Sequence, residues 1–442
     1  MNHYSDRYAE CLASVEEDAR YSRETGRFPV LGFTSNYDVV LRWDAGTYRK
    51  AIGKYLQGVP EAKNGDTISD LKDLARITSC YMMQGLGGSF MIESREVCDY
   101  LLEHFSTEYA LGGTGAQGAA ALGTLGYPVG IHVTDLSREV CTFLNHEGTT
   151  VIRNGALTDI SEAAEDVLPS YNFIMQFDAG DELSIDGKTV AIPNSNRLIL
   201  FFGNMLPTVP LRKDFFDYWI LPENTPSSLL VSGFDAIVIP ELAREKLDTL
   251  VPFLKTTRKV HPETVIYLEG AFYMSSATKD LLFEEVSPFA DIIGMNEEEL
   301  ADQAKRLGVT VDIDLTKDVL RGLEAILKRF PAGGIILHTR DYSMYYGKEL
   351  KGIDIEKGLT MGNLMSGTRA RVGHYGTREE CAETLSLPLS EKGLKFHEEA
   401  SSLAGERFVK AVPSRLLEKP KYTIGLGDTF VAGVHTSFIR RI

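Results

Sequence analysis

The sequence lacks long apolar runs, and none of them reaches the roughly 18 residues that a membrane-spanning helix requires. Its opening stretch, MNHYSDRYAECLASVEEDAR, is charged and helical in pattern, unlike a signal peptide, in which basic residues precede an apolar segment. Positive charge is also scarce, because 46 Lys and Arg stand against 62 Asp and Glu, for a net charge of −16. This excess of negative charge disfavours nucleic acids and anionic membranes as partners. The sequence therefore predicts a cytoplasmic protein that binds neither.

Cysteine is scarce as well. The chain has an odd number of widely spaced cysteines, with no CxxC pair among them: Cys11, Cys80, Cys98, Cys141 and Cys381. This spacing indicates neither a disulfide framework nor a zinc site, and we expect reduced thiols in the core. The P-loop pattern, H-E-x-x-H and G-x-S-x-G are also missing. Their absence leaves P-loop NTPases, zinc metalloproteases and serine hydrolases unsupported as function classes.

The chain of 442 residues is long enough for two or three domains at about 150 residues each. From residue 228 onward, strand and helix patterns alternate, which implies a parallel sheet with crossover helices. Between residues 171 and 202, three short strand patterns separated by turn residues indicate a different unit. We therefore predict an α/β fold in which residues 1–42, 109–170 and 213–442 form a large domain with a central, mainly parallel sheet and helices on both faces. Residues 43–108 and 171–212 are predicted to form a smaller, discontinuous α/β domain that closes over the large one.

A glycine-rich stretch, LGGTGAQG, places Gly113, Gly115 and Gly118 in the G-x-G-x-x-G pattern of dinucleotide-binding turns. Asp135 closes the apolar run that follows. A dinucleotide fold also requires a strand directly before the first glycine. Residues 98–110, CDYLLEHFSTEYA, are instead predicted to form a helix followed by a polar turn. The pattern therefore disfavours a dehydrogenase.

A second glycine-rich stretch, TIGLGDTFVAGVH, lies near the end of the chain. Gly425 and Gly427 allow close approach of an anion, and the first free N–H groups of the following helix stabilise phosphate charge. Asp428 at the same helix end can accept a proton from an attacking hydroxyl. An aspartate in this position is also a common N-cap, in which case the glycines form only a turn.

This C-terminal segment resembles the signature of the ADP-dependent glucokinase and phosphofructokinase family, a branch of the ribokinase-like kinases. The resemblance continues upstream through Val412, Pro413, Arg415, Glu418, Lys419 and Pro420. It implies a ribokinase-like large domain and a smaller lid. It also implies that Asp428 is the catalytic base and that the N–H groups from Gly425 through Leu426 and Gly427 to Asp428 surround the transferred phosphoryl group.

Three acidic or amide residues match the metal motifs of the same family. In GMNEEEL, Asn296 and Glu299 fit N-x-x-E, and their i, i+3 spacing projects both side chains from one face of a helix start, as hydrated Mg²⁺ requires. Glu269 in TVIYLEGA fits the acid of an H-x-E motif, although Tyr267 replaces the histidine. The resemblance implies that Glu269, Asn296 and Glu299 bind Mg²⁺. An acidic first helical turn and a solvated strand-end glutamate are the structural alternatives.

Two further residues match a segment that lies near the nucleotide in this family. His338 and Thr339 in GGIILHTRDY correspond to its H-T pair, and the resemblance implies that they line the ADP site together with Leu426. A polar strand end is the alternative for His338.

The sugar side of the resemblance begins with Asn36 and Asp38, which match an N-x-D motif at the end of the first predicted strand, PVLGFTSNYDVV. A carboxylate can accept paired hydrogen bonds from sugar hydroxyls, although both residues are also common turn formers. The resemblance implies further contacts at the helix start that carries Gly112, Gly113 and Gln117.

Three more positions concern the identity of the sugar. Gln176 lies where glucose-phosphorylating relatives carry a glutamate, which weakens the assignment to glucose. Arg197 matches an N-R-F segment, and together with Arg369 and Arg371 it is a candidate for holding a phosphorylated sugar by charge-assisted hydrogen bonds.

Taken together, these patterns predict an ADP-dependent sugar kinase, active as a monomer or a small homo-oligomer, whose small-molecule partners are a sugar and ADP. It transfers the β-phosphoryl group of ADP to a hydroxyl of a hexose or hexose phosphate, of the glucose or fructose 6-phosphate class, with Mg²⁺ and an aspartate base. Closure of the lid, with Gly85–Gly88 as a flexible element, excludes water. An ATP-dependent ribokinase-like kinase and a catalytically weak sugar–nucleotide sensor remain alternatives.

Overall fold

The computed structural model of the chain describes residues 3–63, 65–185, 187–203, 208–271, 273–403 and 405–441. In these ranges the α-helices are His3–Ala13, Val15–Thr25, Ala45–Ala51, Leu71–Gln84, Arg95–His104, Thr114–Thr124, Arg138–Leu144, Ile160–Ala163, Lys213–Trp219, Pro240–Val260, Ser276–Val286, Glu297–Arg306, Thr316–Arg329, Ile355–Val372, Arg378–Thr384, Glu391–Leu403 and Leu426–His435. None of the helices described has the length and apolar character that crossing a membrane would require.

The strands in the same ranges are β1 (Pro29–Leu31), β2 (Asn36–Leu41), β3 (Gly88–Ile92), β4 (Thr107–Gly112), β5 (Val129–Ile131), β6 (Thr149–Arg153), β7 (Ala156–Asp159), β8 (Tyr171–Phe177), β9 (Glu182–Ile185), β10 (Lys188–Ala191), β11 (Asn196–Phe202), β12 (Ser228–Val231), β13 (Val265–Glu269), β14 (Ile292–Asn296), β15 (Gly334–His338), β16 (Tyr342–Gly347) and β17 (Phe408–Pro413). They form a large sheet, a smaller five-stranded sheet and the hairpin of β9 and β10.

The large sheet has ten strands in the order β17-β16-β15-β14-β13-β12-β1-β5-β6-β7. Neighbouring strands from β15 across to β6 are parallel, whereas the edge strands β7, β16 and β17 pair antiparallel. The strand order reverses at β1, because β5 lies on one side of it and β12 on the other. The predicted α/β class with a central, mainly parallel sheet is therefore confirmed. Sheets of this type bind ligands at the carboxyl ends of the strands beside such a reversal.

Helices cover both faces of the large sheet, as predicted. Along β13, Tyr267 is buried in one apolar core and its neighbour Leu268 in the other. The helix Thr114–Thr124 contributes to the first core and the helix Pro240–Val260 to the second. Burial on both faces explains why these strands are almost continuously apolar in the sequence.

The smaller sheet has the order β3-β11-β8-β2-β4 and one helix-covered face. Val39, Phe173 and Leu198 point into a third apolar core, which the helices Leu71–Gln84 and Arg95–His104 complete. The opposite face carries Asp38, Asn172 and Arg197 together with the apolar Ile199 and Phe201, and it is directed toward the large sheet, because residues of both sheets line one cleft. One face of this sheet is therefore apolar and the other is mixed.

Two predictions about the strands of this smaller sheet are wrong. The stretch PVLGFTSNYDVV is not one strand, since β1 pairs in the large sheet and β2 in the small one. Asn36 therefore begins a strand rather than following one. The backbone of the intervening turn is held elsewhere, with Phe33 N donating to Ser232 O at 3.0 Å and Ser35 N donating to Thr134 Oγ1 at 3.1 Å.

The polar turn expected before Gly113 is also wrong, because residues 107–112 form β4. This strand lies at the edge of the smaller sheet and pairs antiparallel with β2. The next strand, β5, belongs to the other sheet. The glycine-rich turn is thus not part of a parallel β–α–β unit, which is the arrangement that binds dinucleotides. The expected boundaries at 42 and 109 shift accordingly, since the chain crosses between the sheets at 32–35 and at Gly113.

Two glycines allow a close crossing of the helices Leu426–His435 and Ile355–Val372. A Cβ atom added at Gly433 would lie 2.5 Å from the amide nitrogen of Gly362. One added at Gly362 would lie 2.7 Å from the Phe430 ring. Real side chains do not approach so closely, and the two backbones therefore pack directly against each other.

We expect Gly433→Ala to lower the free energy of unfolding by about 1–3 kcal/mol, because the added methyl group forces the helices apart. Gly367→Ala in the helix Ile355–Val372 is the matched control, since its Cβ would meet only Thr384 Cγ2 at 3.9 Å. That change should be neutral or stabilise by up to about 1 kcal/mol, as alanine does in a helix. Urea denaturation of both variants measures the difference, and equal effects would contradict the close crossing.

Candidate active site

Two cavities meet at the carboxyl ends of the parallel strands. The first, the inter-sheet cleft, has a volume of about 850 Å³ and is lined from both sheets by residues that include Asn36, Asp38, Asn172, Arg197, Gly233, Asp235 and Asp428. The second, the C-terminal pocket, has a volume of about 640 Å³ and is lined by residues that include Asn296, His338, Thr339, Leu426 and Gly427. The two cavities adjoin each other. Asp428 lines the inter-sheet cleft, its sequence neighbour Gly427 lines the C-terminal pocket, and Arg197 lines both.

The turn that separates the cavities can be built only with glycine. Gly425 precedes the helix Leu426–His435 with φ of 65°, and a Cβ there would lie 2.1 Å from Gln117 Oε1 and 2.9 Å from Arg369 Nη2. Arg369 is buried and donates from Nη1 to Gly425 O at 3.2 Å and to Thr429 Oγ1 at 2.9 Å. The first N–H groups of the helix have no intrahelical partners and can bind an anion in the adjoining pocket.

Asp428 lies in the first turn of this helix and lines the inter-sheet cleft. Its Oδ2 accepts a hydrogen bond of 2.7 Å from Gln117 Nε2. Burial raises the pKa of the Asp428 carboxyl, while hydrogen bonding by Thr114 and the charge of Arg369 act in the opposite direction. The N-cap alternative is contradicted, because Gly425 occupies that position. A partly buried carboxylate with a raised pKa suits proton transfer.

The amide and carboxylate predicted to bind sugar lie together at the start of β2. Asn36 Nδ2 donates a short hydrogen bond to Asp38 Oδ1, and Asn172 Nδ2 donates to the same oxygen at 2.9 Å. Burial raises the pKa of Asp38 to about 7. These residues are therefore not simple turn formers, since both lie inside β2 and line the cleft.

The helix start predicted beside the sugar adjoins the same two residues. A Cβ at Gly112 would lie 2.1 Å from Asn36 Nδ2. Gly113 has φ of 91°, and its Cβ would lie 2.3 Å from Thr34 O. Gln117 follows one turn later and contacts Asp428. The structure thus brings Gly112, Gly113 and Gln117 to the cleft between the predicted sugar residues and the predicted base.

The remaining sugar-side predictions have mixed outcomes. Gln176 is exposed and pairs with Arg197 across β8 and β11, but it is not among the described residues that line the cleft. Arg197 is exposed and lines both cavities. The expectation for Arg369 and Arg371 is wrong. Arg369 is buried behind the glycine turn, and Arg371 donates from Nη2 to Glu380 O at 2.8 Å, which holds a neighbouring helix.

Asn296 and Glu299 form a reciprocal cap at the start of the helix Glu297–Arg306. Glu299 N donates to Asn296 Oδ1 at 2.9 Å, and Asn296 N donates to Glu299 Oε2 at 3.0 Å. Each side chain keeps free lone pairs, and Asn296 also lines the C-terminal pocket. Burial raises the pKa of Glu299 to about 7, because its charge is poorly hydrated.

Glu269 lies at the end of β13 and is 8% exposed, so that the alternative of a solvated strand-end glutamate is wrong. Its Oε2 is buried and has no hydrogen-bond partner among the described residues. Burial raises the pKa of Glu269 well above its usual value, and the charges of Glu299 and Asp428 act in the same direction. Within the described ranges, no three His, Cys, Asp or Glu side chains form a group ready to bind a metal. The predicted Mg²⁺ ligands are two glutamates and one amide, Glu269, Glu299 and Asn296, and they therefore do not make up a group of that kind.

His338 ends β15, in register with Asn296 at the end of β14. Its ring packs on Phe430 with 4.7 Å between centroids, and burial lowers the pKa of His338 to about 4, so the ring is neutral at pH 7. Thr339 Oγ1 donates to Tyr342 O at 2.9 Å and fixes the turn that follows. Both residues line the C-terminal pocket beside Leu426, where the sequence placed the nucleotide.

Asp235 and Asn172 line the cleft but were missed in the sequence. Asp235 lies four residues beyond the end of β12, whereas Glu269 is the last residue of β13. The available signal for Asp235 was a polar residue shortly after a buried strand. Asn172 stands on the polar face of β8, in register with Asp38 on β2. No local pattern could indicate that pairing, because the two strands are far apart in the sequence.

Comparison with known proteins points to one family. The model of the ADP-specific phosphofructokinase/glucokinase conserved region matches residues 29–436. An ADP-dependent glucose/glucosamine kinase from Pyrococcus furiosus is 24% identical over 434 residues, which cover 90% of this chain and 91% of that protein. An ADP-specific phosphofructokinase from Thermococcus litoralis is 25% identical over 323 residues, covering 65% of this chain and 68% of that protein.

Solved structures agree at the level of the fold. The last common ancestor of ADP-dependent phosphofructokinases from Methanosarcinales superposes with a TM-score of 0.78 at 18% identity, over 99% of both chains. An ADP-dependent kinase in complex with fructose-6-phosphate and ADPβS superposes with a TM-score of 0.74 at 18% identity, over 99% of this chain and 98% of that one.

We expect Glu299→Gln to stabilise the protein relative to wild type above pH 7, in the presence of a metal chelator. In the wild type, the folded-state pKa of Glu299 is raised to about 7 from its usual 4.5, so stability falls as the pH rises from 4.5 to 7. The glutamine can still cap the helix but carries no charge. The variant should therefore gain about 3 kcal/mol across this window and none below it.

Urea denaturation between pH 4 and 8 measures this difference. Glu298→Gln is the matched control, because Glu298 lies in the same helical turn but is exposed. A stability difference for Glu299→Gln that does not change with pH would contradict the buried charge.

Proposed function

The chain belongs to the ADP-specific phosphofructokinase/glucokinase family, and we propose on that premise that it transfers the β-phosphoryl group of ADP to a hydroxyl of a hexose or hexose phosphate. The observation that carries the proposal is the position of Asp428 at the junction of the two cavities. The inter-sheet cleft holds the acceptor and the C-terminal pocket holds ADP. A group transferred between them must pass the glycine turn at Gly425 and Gly427.

Asp428 is the general base of this proposal. A hydroxyl in the inter-sheet cleft donates its proton to Asp428 as its oxygen attacks the phosphoryl group. Gln117 holds Oδ2 by the 2.7 Å hydrogen bond and thereby fixes the orientation of the carboxylate. The raised pKa of Asp428 supports this role, since proton transfer is most efficient when the pKa of the base approaches the working pH.

The free N–H groups at Leu426, Gly427 and Asp428 stabilise negative charge on the transferred group. They require no reorganisation during the reaction, because Arg369 already fixes the carbonyl of Gly425 from behind. His338 and Thr339 line the nucleotide side of the same turn. The neutral ring of His338 contributes shape and a hydrogen-bonding nitrogen, but no charge.

The donor chemistry of Glu269, Asn296 and Glu299 fits Mg²⁺. Glu269 Oε2 is a buried carboxylate oxygen without a partner among the described residues, and burial, followed by the charges of Glu299 and Asp428, raises the pKa of Glu269. Hard cations take oxygen ligands and usually retain several waters, so that carboxylates hold the ion partly through them. Held by these residues, the ion would supply positive charge to the phosphate oxygens.

Asn36, Asp38, Gly112 and Gly113 bind the hydroxyls of the acceptor in this proposal, with Arg197 at the boundary to the nucleotide. Gln176 stays a prediction, as do closure of the smaller domain at Gly85–Gly88, a monomer or small homo-oligomer, and a cytoplasmic location. Water excluded by closure could not compete with the acceptor for the phosphoryl group.

The direct test measures turnover of purified protein with ADP or ATP, with Mg²⁺ or EDTA, against a panel of sugars and sugar phosphates. We expect ADP with Mg²⁺ to support phosphorylation of at least one acceptor, and EDTA to abolish it. Turnover with ATP alone would favour the ATP-dependent alternative.

We expect Asp428→Asn to lower kcat by roughly 100- to 10,000-fold, because the variant keeps the shape of the side chain but cannot accept the proton. Affinity for ADP, measured by calorimetry, should change little. Asp302→Asn is the control, since it removes an exposed carboxylate from the helix Glu297–Arg306. A variant that keeps more than half of the wild-type kcat would contradict the assignment of the base. If wild type and variant both bind ligands without turnover, the sensor alternative is favoured.

A further inference from the structure

We propose that Asp235 is a specificity-determining residue of the inter-sheet cleft, which accepts a hydrogen bond from a hydroxyl or ammonium group of the acceptor and disfavours acceptors that carry a phosphate. This inference rests on the proposed function and restricts its substrate to unphosphorylated sugars and amino sugars. It depends on three properties of the cleft: its charge, its unpartnered acceptors and the rigidity of the Asp235 turn.

The charged side chains that line the cleft are mainly acidic. Its described lining includes three carboxylates, those of Asp38, Asp235 and Asp428, against a single cation, Arg197. Arg197 also lines the C-terminal pocket, where the phosphates of ADP would compete for it. A phosphate on the acceptor would therefore meet mainly acidic side chains. Repulsion between like charges weakens the binding of phosphorylated acceptors relative to unphosphorylated ones.

The amide donors of the cleft are already engaged by carboxylates. Asn36 and Asn172 both donate to Asp38 Oδ1, and Gln117 Nε2 donates to Asp428 Oδ2. Each of these three amide groups therefore has one of its two N–H protons committed to a carboxylate, which leaves one for an incoming phosphate. The hydroxyls of Tyr81 and Ser89 line the same cleft, so its bias against phosphate rests on charge rather than on a lack of donors.

Two acceptors, by contrast, remain open. Asn172 Oδ1 is buried without a partner among the described residues. The carboxylate of Asp235 has no hydrogen bond to another described side chain, while its own backbone N–H is the only group that offsets its burial. Both Asp235 and Asp428 line the inter-sheet cleft. Burial raises the pKa of Asp235 to about 6, and the charge of Asp428 acts in the same direction. Ligand groups with protons to donate would satisfy both acceptors.

The backbone that carries Asp235 is held on both sides. Gly233 has φ of 87°, and a Cβ there would lie 2.3 Å from Thr34 Oγ1, so that the turns after β1 and β12 are in direct contact. Asp235 O accepts from Met274 N at 3.0 Å, and Phe234 packs on Phe33 with 5.6 Å between centroids. A carboxylate on a rigid turn can discriminate between ligands, because it cannot move away from an unfavourable group.

The experiment compares matched pairs of sugars that differ only by a phosphate: glucose and glucose 6-phosphate, fructose and fructose 6-phosphate, ribose and ribose 5-phosphate. Calorimetry without nucleotide measures affinity, which separates this inference from the proposed function, since binding does not require turnover. We expect the wild type to bind the unphosphorylated member of at least one pair more tightly by about tenfold or more, because a phosphate leaves the Asp235 acceptor unsatisfied.

Asp235→Asn, which removes the charge but keeps the size, should reduce this ratio by about tenfold, and Asp235→Ser should do the same if the asparagine variant fails to fold. In turnover, KM for the unphosphorylated sugar should rise with little change in kcat. Glu241→Gln is the control, because Glu241 is an exposed acid at the next helix start. Tighter binding of the phosphorylated sugars by the wild type, a ratio unchanged by Asp235→Asn, or no binding of any sugar would each overturn the inference. Selective binding without turnover would instead leave it standing and contradict the kinase proposal.

Discussion

The close crossing of two helices at Gly362 and Gly433 is the constraint on which the active site depends. It places the start of the helix Leu426–His435 against the carboxyl ends of the parallel strands, and Arg369 then fixes the glycine turn from behind. With that turn in place, one helix end presents backbone N–H groups to one cavity and a carboxylate to the other. Neither arrangement tolerates an added methyl group, which explains why glycine recurs both within the helix and before it.

The site contains several carboxyl groups and few cationic side chains to neutralise them. Glu269, Glu299, Asp235 and Asp428 interact closely enough for their charges to affect one another, and burial raises the pKa of each carboxyl. Such a group of acids costs stability in the free protein. A cation and proton-donating ligands bound at the site would interact favourably with these carboxylates. Their binding would therefore stabilise the folded state.

Much of the fold could be predicted because its signals are local. The alternating strands and helices after residue 228 are continuous patterns, and the glycine turn before Asp428 has a physical reason for each residue. What failed depended on distant partners. Asn36 lies in the smaller sheet because β2 pairs with β4, about seventy residues later, and with β8, well over a hundred residues later. The strand β4 was missed because Glu108 and Tyr109 are exposed at a sheet edge and interrupt the apolar pattern. Arg369 was predicted to hold a phosphorylated sugar, whereas it is buried against Tyr375 and Tyr422.

The turn at Gly113 joins two parts of the molecule more directly than a loop would. Strand β4 of the smaller sheet ends at Gly112, and the helix Thr114–Thr124 packs in the core of the large sheet. Gln117, which holds Asp428, lies only four residues beyond that junction. A single turn of helix therefore lies between the edge of the smaller sheet and the side chain that hydrogen-bonds Asp428. If the smaller sheet moves relative to the large one, its position and the protonation of Asp428 would be linked, and each would shift the other's equilibrium by the same factor.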